Sequence, residues 1–269
     1  MINKEFIENL SYPDFVGFIN QWNVLPGAYD TINRWAIFGH VNSSSKILQF
    51  ACTTGFQSRE LALLTGCSAV GVDISASSIE MARWNAEQYA PNANLNYINT
   101  DAINFESNEK FTHVAVGAGL KFFQKPELAM SQCLSLLKDG GYILASPFWI
   151  INPIPEKVLK AASSVFGIEP TCTGYDEVMN LYRGLDVVYE QHFDLRIEPE
   201  EEIEKYCDAT INRTSVIRNI TDPDVLLVMK NRLRDIRKMS NQLRSYQKYS
   251  VLVLRYREKN YPNRYVELF

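Results

Sequence analysis

The sequence predicts an α/β protein built on one doubly wound sheet, and three observations carry that expectation. From Lys46 to Ser146, short β-type runs alternate with longer helical patterns, as in parallel strands joined by crossover helices. Right-handed crossovers are the default for such units, so the strands stack into a single sheet. A chain of 269 residues, 46% hydrophobic and 22% charged, buries one substantial core, and no run reaches the roughly 20 apolar residues of a membrane span.

The elements follow in order. Residues 1–45 read as a helical cap, broken at Pro13 and at Leu25 to Gly27. Residues 46–150 form the α/β core, with strands KILQFA, AVGVDI, LNYINT, HVAVGA and YILASP. Helices SRELALLTG, SASSIEMARWNAEQYA and PELAMSQCLSLLK fit between them. Ser75 or Ser77 caps the second of these, whose stripe is Ile79, Ala82 and Ala86, and the glycines of LKDGGY close the third. Residues 151–198 supply two helical stretches and the alternating strand LDVVYEQHFDLRI. Residues 199–247 are a helical lid opening on Pro199 and on Asp222 with Pro223. Residues 248–269 hold a final strand, YSVLVLRYRE, and the tail KNYPNRYVELF, to which no structure is assigned.

Composition narrows the function classes. With 27 basic residues against 31 acidic the net charge is −4, no surplus that would advertise nucleic acid or an anionic membrane. MKNRLRDIRK reads as a solvated basic helix face. The N-terminus lacks the apolar run of a signal peptide. The five scattered cysteines make no CxxC pair and have no histidine at metal-ligand spacing, so the reading is reduced thiols, a cytoplasmic chain and no metal. Cys52 is expected to be a buried thiol.

In an open α/β sheet, ligands bind beyond the carboxyl ends of the strands, where strand order reverses. That rule selects ACTTG after the first strand, Asp73 after the second, Asp101 after the third and GAGLKFF after the fourth. Small residues in ACTTG let backbone approach a ligand, and the helix that starts near Phe56 offers amides to an anion. Asp73 ends an apolar strand, where two ribose hydroxyls would meet its carboxylate. Asp101 can accept from an adenine amino group, with the Ala102 amide as the complementary donor. A nicotinamide site is disfavoured, because the third glycine of a GxGxxG frame is absent along with the first two.

On these residues, 46–146 resembles the class I methyltransferases that use S-adenosylmethionine. The matching pieces are ILQFACTTG, VGVDIS, NTDA, FTHVAV and LLKDGGYILAS, in the family's order and spacing. The resemblance implies a Rossmann-like sheet of about seven strands, the last antiparallel, with a helical lid. It implies S-adenosylmethionine as cofactor, S-adenosylhomocysteine as product, and cofactor contacts from Tyr29, Gln49, Ala51, Thr53, Gly55, Asp73, Ile74, Asp101, Ala102, Val116 and Gly117. Lys121, Phe122, Trp149 and Tyr182 are the substrate-facing candidates, and Tyr12, Trp22, Tyr29 and Trp35 could cap a sulfonium or form a core.

Departures from the family pattern fall at the opening stretch. Gln49 stands where an acid is usual, Ala51 and Thr53 where glycines are, and Thr112 where Asp is frequent. Ala51 is tolerable at negative φ, and Thr53 is expected to keep an ordinary φ and turn its hydroxyl toward the methionine carboxylate. His192 is the first candidate general base and Tyr182 the second, while His113 reads as a buried structural residue. The resulting expectation is in-line methyl transfer to a small-molecule acceptor, without nucleic acid or membrane; a homodimer is left open. The alternatives are an inactive binding module and a cyclising or rearranging enzyme that uses the same cofactor.

Overall fold

A computed structural model describes residues 2–118 and 120–262. Gly119 and residues 263–269 of the tail lie outside the described residues. Among the described residues, eight strands form one sheet: β1 (Lys46–Phe50), β2 (Ser68–Asp73), β3 (Leu95–Asn99), β4 (Phe111–Gly117), β5 (Leu137–Ala145), β6 (Phe148–Ile150), β7 (Asp186–Asp194) and β8 (Gln247–Arg255). The first five run in the order β3-β2-β1-β4-β5, all parallel, so strand order reverses between β1 and β4. The final strand β8 is antiparallel to β5 and to β7, as expected.

The short β6 was not legible in the sequence. Tyr142 to Ala145 of β5 pair with Arg255 to Leu252, and Phe148 then pairs with Tyr249, three residues on in one strand and three back in the other. β6 is therefore β5 continued past the sheet's carboxyl edge. Pro147 lacks the N–H for an unbroken ladder, although its carbonyl still accepts from Ser250 N at 3.0 Å.

Alternation along the strands fills both faces. Leu48, Phe50, Val114, Val116, Leu252 and Leu254 face α6 (Pro126–Leu136), while Ile47, Ala115, Val251 and Val253 face α3 (Ala28–Phe38) and α4 (Phe56–Thr65). Trp35 is fully buried among the second group, so α3 flanks the sheet. α5 (Ala76–Tyr89) is capped by Ser75, which accepts from Ser78 N, and lays Ile79 and Ala82 on Tyr97. α6 ends at Leu136 without a glycine. The glycines expected to close it lie inside β5, where Gly140 at φ +76 accompanies a shift in register against β4.

A separate helical layer joins α1 (Lys4–Asn9) and α2 (Tyr12–Phe18) to α9 (Glu200–Arg218) and α10 (Pro223–Arg244). α7 (Glu156–Phe166) packs against α10, and the five-residue α8 (Tyr175–Met179) lies near β6. Ile7, Phe15, Phe18 and Ile19 bury against Ile203, Cys207, Ile211, Met229 and Leu233. Arg234 and Lys230 of α10 pair with Glu204 of α9, and Lys230 also with Asp208. α9 and α10 open at Pro199 and at the Asp222 cap that the sequence marks. Among the described residues no helix is long and apolar enough to cross a membrane, and no His/Cys/Asp/Glu cluster could hold a metal.

This layer reaches the sheet's carboxyl edge through α2. Ser75 Oγ donates to Asp14 Oδ1 at 2.7 Å, and Ser77 Oγ donates to the Asp14 carbonyl at 2.9 Å. Gly17 permits the approach, since a Cβ there would sit 2.4 Å from Ser78 N. Gly17→Ala should therefore lower stability by about 1–3 kcal/mol through overpacking. Gly174→Ala, with nothing within 4 Å of an added Cβ, should stay within about 0.5 kcal/mol. Urea unfolding of the two variants checks the difference.

Candidate active site

The turn after β1 is a glycine-type turn made largely without glycine. Ala51 and Thr53 both have φ +48, and Gly55 has φ +79. The expectation of an ordinary φ at Thr53 is thus corrected, and Ala51 lacks the negative φ at which it would be tolerable: the turn requires alternate residues on the left-handed side, and side-chain bulk does not override it. Each such L-residue costs about 1–2 kcal/mol. Only Gly55 is sterically forced, because an added Cβ would stand 2.6 Å from the Tyr97 hydroxyl.

Three tethers hold the turn in this shape. Cys52 N donates to Val72 O at 3.0 Å, and Thr53 N donates to Asp73 Oδ2 at 2.9 Å. The buried Gln49 accepts from Ser58 N at 2.9 Å through Oε1, so its side chain caps α4. The neutral amide at this position thus does a structural task. Cys52 is fully buried, and burial pushes its thiol well up, as a structural cysteine requires.

Asp73 accepts from Ser75 N at 2.8 Å with its other oxygen. Burial raises its pKa above the ordinary carboxylate value, an effect the Ser75 and Thr53 amides oppose. Asn99 Nδ2 donates to the carbonyls of Asp73 and Ile74 and fixes the adjoining turn. Ile74 itself is 68% exposed at the carboxyl edge. Asp101 is exposed and caps the 3-10 turn at Ala102–Asn104, accepting from Ile103 N at 3.0 Å, while Ala102 is buried.

The chain before α3 covers the turn. Thr54 Oγ1 donates to Gln21 O at 2.7 Å, and the buried Asn20 and Asn85 exchange two amide hydrogen bonds. Trp22 lies 4.1 Å from the guanidinium of Arg59, a fully buried residue of α4. Tyr29, half exposed, meets Phe56 edge-on. Of the four candidate cap aromatics, Trp22 and Tyr29 adjoin the turn, Trp35 lies under the sheet, and Tyr12 packs on Phe166 of α7.

Across the switch point, Val116 and Gly117 are buried at the end of β4, with Gly117 at φ +54. Lys121 pairs with Glu177 of α8 at 3.1 Å, beside the exposed Phe122. Tyr182 is buried in the core near Cys133, and burial pushes its phenol up, which does not suit a base. His113 is buried, bonded through Nε2 to Gly39 O, and lowered by burial, as a structural histidine should be.

The extension of β6, β7 and β8 carries His192. Its Nδ1 lies 2.9 Å from Ser250 Oγ, which also accepts from Trp149 Nε1 at 3.0 Å, and its Nε2 stands 3.8 Å from Glu190. The rings of Trp149, Tyr175 and His192 meet edge-on, and Tyr175 donates to Glu190. Ser250, Tyr175 and Glu190 were missed from the sequence. The alternation that put His192 on a strand also puts Glu190 on its face, whereas Ser250 depended on strand register.

A sequence profile of the methyltransferase domain matches residues 47–141. Residues 47–141 form a methyltransferase domain. This domain runs from β1 to the glycines of β5, and the sheet order around it is that of the Rossmann-like fold. The crystal structure of MccD protein is similar at 28% identity, with a TM-score of 0.69, over 87% of this chain and 99% of that one. An S-adenosylmethionine-dependent methyltransferase from Geobacter sulfurreducens, solved with S-adenosyl-L-homocysteine, is 17% identical, with a TM-score of 0.66, over 89% of this chain and 96% of that one. The [4+2]-cyclase SpnF shares the fold at 13% identity, with a TM-score of 0.65, over 94% of this chain and 96% of that one. No curated protein sequence matches.

Two outcomes follow from the strained, clasped turn of the methyltransferase domain. Thr53→Gly should raise stability by about 0.5–1 kcal/mol, the left-handed strain removed exceeding the added freedom of the unfolded chain, measured by equilibrium urea unfolding. The raised Asp73 binds its proton more tightly folded than unfolded. Its contribution is therefore full when it is protonated, and stability declines as pH rises from 3.8 through the higher folded value. A pH series should show that decline flattened in Asp73→Asn.

Proposed function

We propose that the chain is an S-adenosylmethionine-dependent methyltransferase that acts on a small-molecule acceptor. The observation that carries this reading is the carboxyl edge beside the β1/β4 switch point. There a strained turn, a buried carboxylate and an exposed apolar residue, Ile74, adjoin a helix N-terminus.

The residues fit the cofactor. The buried amides of Phe56 and Gln57 make no hydrogen bond among the described residues, although such groups are normally paired. An anionic carboxylate at the start of α4 would satisfy them. Ala51, exposed at the turn, leaves room for backbone approach. Asp73 retains acceptor capacity for ribose hydroxyls, Ile74 offers an apolar platform to the base, and Asp101 with Ala102 frames its edge. Tyr29, Gln49, Thr53, Gly55, Val116 and Gly117 shape the surrounding wall. When bound, the cofactor supplies an activated methyl on a sulfonium.

The chain's own contribution is placement and exclusion of water. In this reading residues 46–150 hold the cofactor, residues 1–45 and 199–247 cap it, and residues 151–198 with the last strand complete the sheet. Lys121, Phe122 and Trp149 line the acceptor side, with Tyr182 behind them. With its proton on Nδ1, His192 donates to Ser250 and keeps a lone pair on Nε2. It then takes a proton from an acceptor that carries one, and Glu190 stabilises the imidazolium. The five free cysteines suit a reducing, cytoplasmic setting.

Calorimetric titration with S-adenosylhomocysteine should show saturable binding. Mass spectrometry of a metabolite mixture incubated with the donor should show a product that has gained one methyl. No binding at millimolar ligand contradicts the reading, binding without turnover favours the inactive module, and a rearranged product without added methyl favours a cyclase. Once the acceptor is found, His192→Ala should lower kcat about 10²-fold or more and leave affinity for S-adenosylhomocysteine unchanged.

A further inference from the structure

Gln57 is 4% exposed, yet its Oε1 has no hydrogen-bond partner among the described residues. The side chain belongs to the first turn of α4 and reaches across the switch point to the end of β4. A Cβ built on Gly117 would come within 2.6 Å of Gln57 Nε2. Gly117 O in turn accepts from Ser146 N at 2.6 Å, and the fully buried Ser146 Oγ is also without a partner. Two oxygens lacking donors thus border Gly117, and one of them is carried by the helical turn whose Phe56 and Gln57 amides are unpaired. A buried carbonyl without a donor is unfavourable, so this arrangement favours a ligand that brings one.

The two sets of groups have opposite polarity. The start of α4 presents N–H groups and a positive dipole end, which suit a carboxylate. Gln57 Oε1, near Gly117, presents an acceptor without a donor, which suits an N–H group. A carboxylate and an ammonium on one carbon match this pairing. Gln49, the neutral residue where an acid is usual in the resembling family, is spent on Ser58 N and Cys52 O and leaves that place unfilled.

We propose that Gln57 receives the α-ammonium of the amino-acid end of the cofactor, through a neutral carboxamide, with the Ser146 hydroxyl as the neighbouring acceptor. The proposal rests on the cofactor reading given under Proposed function. It makes Gln57 a specificity residue for one end of the ligand, independent of how the nucleoside is held.

The experiment is calorimetric titration of the wild-type chain, Gln57→Leu and Gln57→Glu with two probes: S-adenosylhomocysteine and its analogue lacking the amino group. Wild-type protein should bind S-adenosylhomocysteine about tenfold more tightly than the des-amino analogue. Gln57→Leu should erase that ratio while leaving affinity for the des-amino analogue within about twofold. Gln57→Glu should restore or widen the ratio. Circular dichroism confirms that each variant is folded. An undiminished ratio in folded Gln57→Leu, or equal loss for both probes, overturns the proposal. Failure of the wild-type chain to bind either probe instead overturns the cofactor reading.

Discussion

The carboxylate of Asp73 bridges two backbone amides, Thr53 N from the turn after β1 and Ser75 N from its own turn, and the carboxyl edge depends on that bridge. Without it the turn would rest on the Cys52 bond to Val72, the Gln49 cap and the hydrogen bonds of Thr54 against the pull of Ala51 and Thr53 toward ordinary φ. Burial of the carboxylate is itself unfavourable, as its raised pKa reports. Strain and desolvation thus converge on a few residues at one place. Such convergence is typical of sites whose geometry is maintained for a ligand, because the surrounding fold must supply the opposing stability.

The same carboxyl edge ties the helical cap to the sheet. Ser75 caps α5 and reaches Asp14 of α2, while Asn20 and Asn85 lock the segment that covers Thr54. Arg213 and Thr214 of α9 hold the carbonyls of Asn20 and Ile19. A continuous chain of buried polar contacts therefore links the turn after β1 to the helices inserted before the final strand. Networks of this kind position a cover with more directional control than apolar packing alone.

Much of the sheet was legible in the sequence because its strands carry continuous apolar runs and its helices a 3.6-residue stripe, with Ser75, Pro199 and Asp222 marking starts. β6 was not legible, since three residues after a proline carry no periodicity and pairing is set by β8. The positive φ of Thr53, like that of Ala51, was not legible, because residue preference alone does not include the hydrogen bonds that oppose it. Asp73 could be named from its place at a strand end, whereas Gln57 could not: its significance is an absence of partners that only packing reveals. The cluster around His192 depended on long-range register for the same reason.

In the proposed reading, the strained turn, Asp73 and the start of α4 form a socket for an adenosyl amino-acid ligand. A crystal structure of the chain grown with S-adenosylhomocysteine tests it most directly. Density is expected at the β1/β4 switch point, with the ribose on Asp73, the base on Ile74 and the amino-acid end over Phe56 and Gln57. Ligand density elsewhere, or a turn after β1 that stays closed with no ligand beside it at saturating concentration, would contradict it.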